Sequence, residues 1–197
     1  MNWMPDVWRS LSALGDSRWL LPVALVLLIT LPRADVRLKW RWLLGIAVTA
    51  GVTLASKLAF MGWGIGIKSV HFTGFSGHAA MSSVIYPVVG ALLAGTGKRP
   101  RTIGLVIGVL LATTIAWSRI PLHAHSLSEV IAGLMLGLGS GAWALSTTTP
   151  CNRPSARILA SALLIGLILP LCLPDLRTHQ LVTALAEALE GSLETNH

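Results

Sequence analysis

Charge is what this chain has least of: only 12% of its 197 residues are Asp, Glu, Lys or Arg. So sparse a charge over 53% hydrophobic composition, with the apolar residues in long blocks and no polar interruption at a 3.6-residue period, excludes a water-soluble domain. The mean hydropathy of +0.70 points the same way, to an all-α polytopic membrane protein. No internal repeat, low-complexity segment or interdomain linker is present, so residues 1–197 read as a single integral membrane domain. Cysteine is nearly absent too. Cys151 and Cys172 fall toward opposite ends of the last apolar block, too far apart for a disulfide with its Cα separation of about 4.4–6.8 Å, and they read as two free thiols.

Six apolar segments are near the length that crosses about 30 Å of hydrocarbon at 1.5 Å per residue. They are residues 19–31, 40–61, 79–94, 102–117, 127–145 and 156–173, and together they predict a bundle of six transmembrane helices. The first is short, and a cleaved signal peptide is its rival reading. Asp6, Asp16 and three tryptophans before or at its start are unlike a short basic leader, which favours a helix. Upstream, Trp3, Met4, Val7, Trp8, Leu11 and Leu14 recur at helical spacing, so the N-terminus is expected to lie along the membrane surface until Gly15-Asp16 turns the chain inward. Downstream, Leu181, Ala184, Leu185, Ala188 and Leu189 share one face of a docked helix or a frayed tail.

Acidic residues are scarcer than basic ones, eight against fifteen, and the resulting charge of +7 admits a nucleic-acid partner. The placement of the basic residues favours a bilayer and no nucleic acid. Arg33, Arg37, Lys39, Arg41, Lys98, Arg99, Arg101, Arg153 and Arg157 all fall in alternate loops on one side, leaving six of the fifteen for the other. The positive-inside rule puts the nine-charge side in the cytoplasm. Loops 62–77 and 118–126 then open to the outside.

Those two loops carry the chemistry. In the first, a glycine-rich stretch runs through Phe75-Ser76-Gly77-His78 into the third span, placing Ser76, Gly77 and His78 at a helix N-terminus. The first amides of a helix lack internal acceptors and bear partial positive charge, so they suit a phosphoryl oxygen. Ser76 equally fits a plain N-cap, and Gly77 a turn residue. In the second, Ser118-Arg119 ends the fourth span and His125 begins the fifth, with Glu129 four residues on and on the same helix face. A carboxylate that holds imidazole Nδ1–H presents an oriented, basic Nε2, and a guanidinium offers a planar donor fork to phosphate. Taken singly, Arg119 reads as an interfacial arginine and Glu129 as a helix-start carboxylate. Together with Ser-Gly-His on the same side, they read as a phosphoryl-transfer site.

At these residues the chain resembles the type 2 phosphatidic acid phosphatase family of membrane enzymes, whose pattern is K-x6-R-P, then P-S-G-H, then S-R-x5-H-x3-D. Ser118-Arg119, His125 and Glu129 keep the third motif's spacing, with Glu129 in place of aspartate. Phe75 replaces the proline of the second motif. Six residues after Lys57 stand Gly64-Ile65, not Arg-Pro, so the first motif lacks a cation, which Lys68 is placed to supply. Lys57 also fits a lysine snorkelling from a span end, and Lys68 a solvated loop charge.

The resemblance, which covers about residues 57–137, implies a six-helix fold and a two-step displacement: His125 attacks phosphorus, His78 protonates the leaving oxygen, and water hydrolyses the phosphohistidine. Arg119, a lysine, Ser118 and the Ser76–His78 segment would bind the phosphate, with no metal or other cofactor. Four histidines in facing loops, His71, His78, His123 and His125, also admit zinc, but that reading leaves the phosphate-binding residues without a role. An outward site at the bilayer surface implies a lipid phosphate of the outer leaflet in a bacterial inner (cytoplasmic) membrane. Undecaprenyl pyrophosphate, recycled for cell-wall synthesis, is the first expectation, because the small six-span form is typical of that branch. Phosphatidylglycerol phosphate, phosphatidic acid and a lipid A phosphate are the alternatives. A non-catalytic phospholipid binder or transporter is the rival class, motivated by the missing Arg-Pro.

Overall fold

The computed structural model describes residues 4–32, 35–94, 97–146 and 155–172. Trp3, Arg33, Cys151, Arg153, Leu173 and the expected amphipathic face at 181–189 lie outside the described residues. The described chain is all-helical: α1 (Met4–Ala13), α2 (Ser17–Thr30), α3 (Val36–Trp63), α4 (Gly77–Ala94), α5 (Lys98–Ser118), α6 (Leu127–Leu145) and α7 (Ala156–Cys172).

Five runs among the described residues are long and apolar enough to cross a membrane. The expected count of six is not confirmed among the described residues. Residues 156–173 correspond to α7, whose 17 described residues extend only about 26 Å at 1.5 Å per residue. The first run, Asp6–Thr30, takes in both α1 and α2. These helices are separated at residues 14–16, where Asp16 caps α2 by accepting from the Arg18 amide. The sequence places that break correctly.

The element at the centre is α4. Of its membrane window 61% is buried inside the protein, against 22–33% for the other four runs, so α4 has protein on most sides where the others face lipid. It packs chiefly on α5 and α6, and the contact surfaces explain why. Gly104 and Gly108 of α5 lie against the backbone of Gly90 and Tyr86, while Gly133 and Gly137 of α6 lie against that of Ser76 and Ala80. Lipid tails are as apolar as leucine, so association inside a bilayer depends on close backbone approach and interhelical hydrogen bonds, which small residues permit. Two polar links add to this. Trp42 Nε1 of α3 donates to the Val84 carbonyl at 3.0 Å, and Thr49 of α3 meets Ser140 of α6 at 3.1 Å.

The two ends of the bundle differ. Arg37, Lys39 and Arg41 lie in the opening turns of α3, Lys98, Arg99 and Arg101 in those of α5, and Arg157 in that of α7. Arg41 there donates to Ser146 at 2.8 Å and lies over the Trp143 ring at 5.5 Å, tying α3 to the end of α6. The C-termini of α3 and α5 and the N-termini of α4 and α6 are at the other end, and both motif loops are there with them.

Candidate active site

The first loop is built to close over the bundle end. It leaves α3 at Gly64, whose φ of 63° is left-handed backbone that glycine adopts without a Cβ penalty. A short turn, Lys68–Val70, follows, bracketed by paired backbone hydrogen bonds between Ile67 and Phe72. Phe72 and Phe75 then meet edge to face at 5.4 Å. Three bonds fix the loop's return: Ser128 donates to the Val70 carbonyl, the Phe75 amide to Ser56 Oγ, and the Ser76 amide to the Glu129 carbonyl. The last of these joins the two motif loops through backbone.

In the second loop, Ser126 and Glu129 form a capping box at the start of α6. Glu129 is 4% exposed, yet each of its oxygens has two donors. Oε1 accepts from the Thr73 amide at 2.8 Å and from the Thr73 hydroxyl; Oε2 accepts from the Ser126 amide at 3.1 Å and faces His125 Nδ1 at 2.7 Å. A carboxylate at that distance requires the proton on Nδ1, which leaves Nε2 as a lone-pair nitrogen. Burial pulls the His125 imidazole below the ordinary histidine range; Glu129 opposes the shift, and Lys57 and Arg119 add to it. Burial thus favours the neutral form of His125.

Around His125 stand the other groups. Lys57, near the end of α3, reaches the start of α4, its Nζ 4.0 Å from where a Cβ on Gly77 would lie. Arg119, at the C-cap of α5, is half-buried, and its Nη1 donates to Ser12 of α1. Burial lowers its proton affinity and Asp16 counters that, but a guanidinium stays charged. His78, in the first turn of α4, is within electrostatic reach of Arg119, Asp16, His125 and Lys57.

Three buried polar atoms of this end have no partner among the described residues: Ser76 Oγ, Thr53 Oγ1 and Arg119 Nε. Buried donors are nearly always satisfied, so orphans beside two cations are groups that an ordered water or an anion can engage. They also decide the reading of Ser76, whose hydroxyl does not cap α4. The assembly can bind an anion, offer it a nitrogen nucleophile, and keep a second imidazole beside it.

The structure thus brings together His125, Glu129, Arg119, His78, Lys57, Ser76 and Gly77. Two expected residues stand apart from them. Lys68 is exposed on the loop turn. Ser118 is fully buried, but its hydroxyl donates to the Ile115 carbonyl at 2.6 Å, so it serves its own helix. His71 and His123 are exposed loop residues with left-handed backbone, φ 51° and 52°. Among the described residues no three His, Cys, Asp or Glu side chains converge as a metal ion requires.

Sequence reasoning passed over four residues here. Ser126 was detectable, because S-x-x-E ahead of an apolar run is a capping-box signature. Thr53 lies one helical turn before Lys57, and so on its face. Thr73 and Ser12 carry no local signal, since each meets its partner across the fold.

Comparison with known proteins bears on the same residues. The sequence model of the PAP2 superfamily matches residues 39–153, which include Lys57, Lys68, Ser76, Gly77, His78, Ser118, Arg119, His125 and Glu129. The chain is 43% identical over 138 residues to a Klebsiella pneumoniae protein described as "Uncharacterized 22.5 kDa protein in cps region", covering 68% of this chain and 66%, just under two thirds, of that protein. It is 28% identical over 148 residues to phosphatidylglycerophosphatase B of Bacillus subtilis (strain 168), covering 69% of this chain and 71% of that protein. No solved structure matches the chain. With more than half the chain matched, and both loops matched together with the helices that carry them, this chain belongs to the PAP2 superfamily.

Proposed function

We propose that this protein is an integral membrane phosphatase that hydrolyses a lipid phosphate or pyrophosphate through His125. The observation that supports this most is the 2.7 Å contact of His125 Nδ1 with Glu129, which orients the ring and leaves Nε2 as the nitrogen away from the carboxylate, while burial favours the neutral form. In the first step Nε2 attacks phosphorus, the bond from phosphorus to the lipid-side oxygen breaks, and His78 gives that oxygen its proton. In the second, water attacks the phosphohistidine, His78 takes a proton from the water, and phosphate leaves with His125 restored. Arg119, Lys57 and the amides opening α4 neutralise the equatorial oxygens as charge builds on them. The resident residues supply every group, with no metal in the scheme.

The substrate follows from the position of the site. It lies at the end of an apolar bundle away from the basic turns, so the positive-inside rule directs it to the outside of a bacterial inner membrane. An outer-leaflet lipid phosphate is the class, and undecaprenyl pyrophosphate is the substrate we put first. Phosphatidylglycerol phosphate is the second reading, favoured by the likeness to the Bacillus protein named as a phosphatidylglycerophosphatase.

Phosphate release by the purified protein in detergent with EDTA, measured on these two lipids, phosphatidic acid and a lipid A phosphate, tests the reading. The expected result is turnover in EDTA, fastest on undecaprenyl pyrophosphate, and none with His125→Ala. Turnover that survives His125→Ala removes the nucleophile assignment. Binding of all four without release would make the protein a lipid binder.

A further inference from the structure

The superfamily match begins at residue 39, so α1, α2 and the break between them lie outside it. Yet that break sits on the site. Gly15 is buried, and a Cβ added there would lie 3.2 Å from His78 Cδ2 and 2.5 Å from Ile115 Cγ2, so the backbone at residue 15 lies directly on the imidazole and on α5. Ser12, 5% exposed, puts its hydroxyl on Arg119 Nη1.

The break is itself held firmly. The Leu14 carbonyl accepts from Tyr86 Oη at 2.8 Å and from Trp19 Nε1 at 2.9 Å, which ties it to α4 and α2. Asp16 accepts from the Arg18 amide at 2.9 Å and from Arg18 Nη2 at 2.6 Å, closing the turn on its other side. None of these bonds needs the Ser12 hydroxyl.

We propose that the α1–α2 elbow, residues 12–16, is a wall of the active site, and that Ser12 is a positioning residue that holds the Arg119 guanidinium for the substrate's phosphoryl group. Besides Ser12, only the backbone at the end of α5 constrains Arg119 among the described residues, and it fixes only the root of the side chain, since the buried Nε has no partner there. A long side chain with one end fixed samples many rotamers. A serine accepting from Nη1 selects one of them and leaves Nε and Nη2 for the anion, so the cost of ordering the guanidinium is met before the ligand arrives. The residue responsible comes from a segment that the superfamily pattern does not include.

The inference rests on the phosphatase reading, and the test separates the two. Orthovanadate takes up the five-coordinate geometry of phosphoryl transfer, so its binding to the full-length protein in detergent, measured by calorimetry, reports on the phosphate site directly. Ser12→Thr and Ser12→Val have nearly the same shape and differ in the hydroxyl. We expect Ser12→Thr to bind as the unaltered protein does and Ser12→Val to bind about tenfold more weakly, as for loss of one hydrogen bond to a charged group. In an Arg119→Met background the same two changes should be indistinguishable, because the coupling runs through the guanidinium. Equal binding by the Thr and Val variants, or an undiminished difference between them without Arg119, overturns the role of Ser12 while leaving the phosphatase reading intact. Absence of vanadate binding and of phosphate release in the unaltered protein overturns both.

Discussion

Glu129 has a donor at every position its carboxylate offers, two at each oxygen, and only one of the four is the catalytic candidate His125. Replacing the carboxylate by an amide puts an NH2 group opposite the donors of one oxygen, so Glu129→Gln disturbs either Thr73 or the pair Ser126 and His125. Under the proposed mechanism it should retain a few per cent of turnover, since the orienter assists a nucleophile that remains present. The pH dependence follows from the same contact. Attack needs neutral His125, whose burial holds it below its ordinary value of 6.5. The midpoint of protonation, and with it of the loss of rate, therefore lies below pH 6.5, and the acid limb of kcat/KM is expected there; a limb centred above pH 7 would show the imidazole charged in the resting protein.

The two lysines separate cleanly at this scale. Lys57 reaches the opening of α4, whereas Lys68 is exposed on its turn. We predict that Lys57→Ala lowers turnover at least tenfold, about 1.4 kcal/mol of transition-state stabilisation, and that Lys68→Ala stays within about twofold. Assays of phosphate release on both variants check this, and the reverse order would restore the loop lysine as the missing cation. His125 and Glu129 were legible in the sequence because they are only four residues apart, although His125 does not begin the helix as expected: it precedes the Ser126 N-cap of α6, and the capping box turns the Glu129 carboxylate back toward it. Lys57 and Lys68 were not distinguishable, because which of them meets the site depends on how a loop folds back on itself.

At the scale of elements, the helices were legible wherever hydrophobicity alone defines them, and less so at their ends. α3 runs Val36–Trp63 where 40–61 was expected, because its opening turn carries Arg37 and Lys39, polar residues that a hydrophobicity boundary excludes and a helix does not. The packing partners were not legible. The glycines of α5 and α6 name no partner in the sequence, yet they are the surfaces on which α4 rests. Gly137 leaves no room: a Cβ there would fall 2.2 Å from the Ala80 carbonyl oxygen and 2.7 Å from Ser83 Cβ. Gly137→Leu should therefore separate α4 from α6, displace His78 from His125, and give a protein that loses activity and melts in detergent well below the unaltered one. An unchanged melting temperature would show that the two helices do not depend on that contact.

For the whole molecule, the polar chemistry and the basic turns lie at opposite ends of one bundle, so orientation in the membrane decides which leaflet supplies the substrate. Ser69 is exposed on the site-side loop and Arg99 in the opening turn of α5 at the basic end. A cysteine at Ser69 is expected to react with a membrane-impermeant maleimide in intact cells, and one at Arg99 only after the membrane is opened. The opposite pattern would move the substrate to the inner leaflet.

The burial of α4 has a consequence for how such a chain is made. A nascent helix is first offered to lipid, and it stays there by virtue of the hydrocarbon it can touch. In the finished bundle α4 touches little, having Ser82, Ser83 and Tyr86 along its length and protein around most of its circumference. Its sequence is as apolar as the other runs, so it can enter the bilayer unaided, but its place in the finished bundle is secured by α5 and α6, both of which are synthesised after it. The helix that carries His78 has to wait for its neighbours, and a defect in their glycine faces would first be felt during biogenesis, as a chain cleared by quality control before any substrate reaches it.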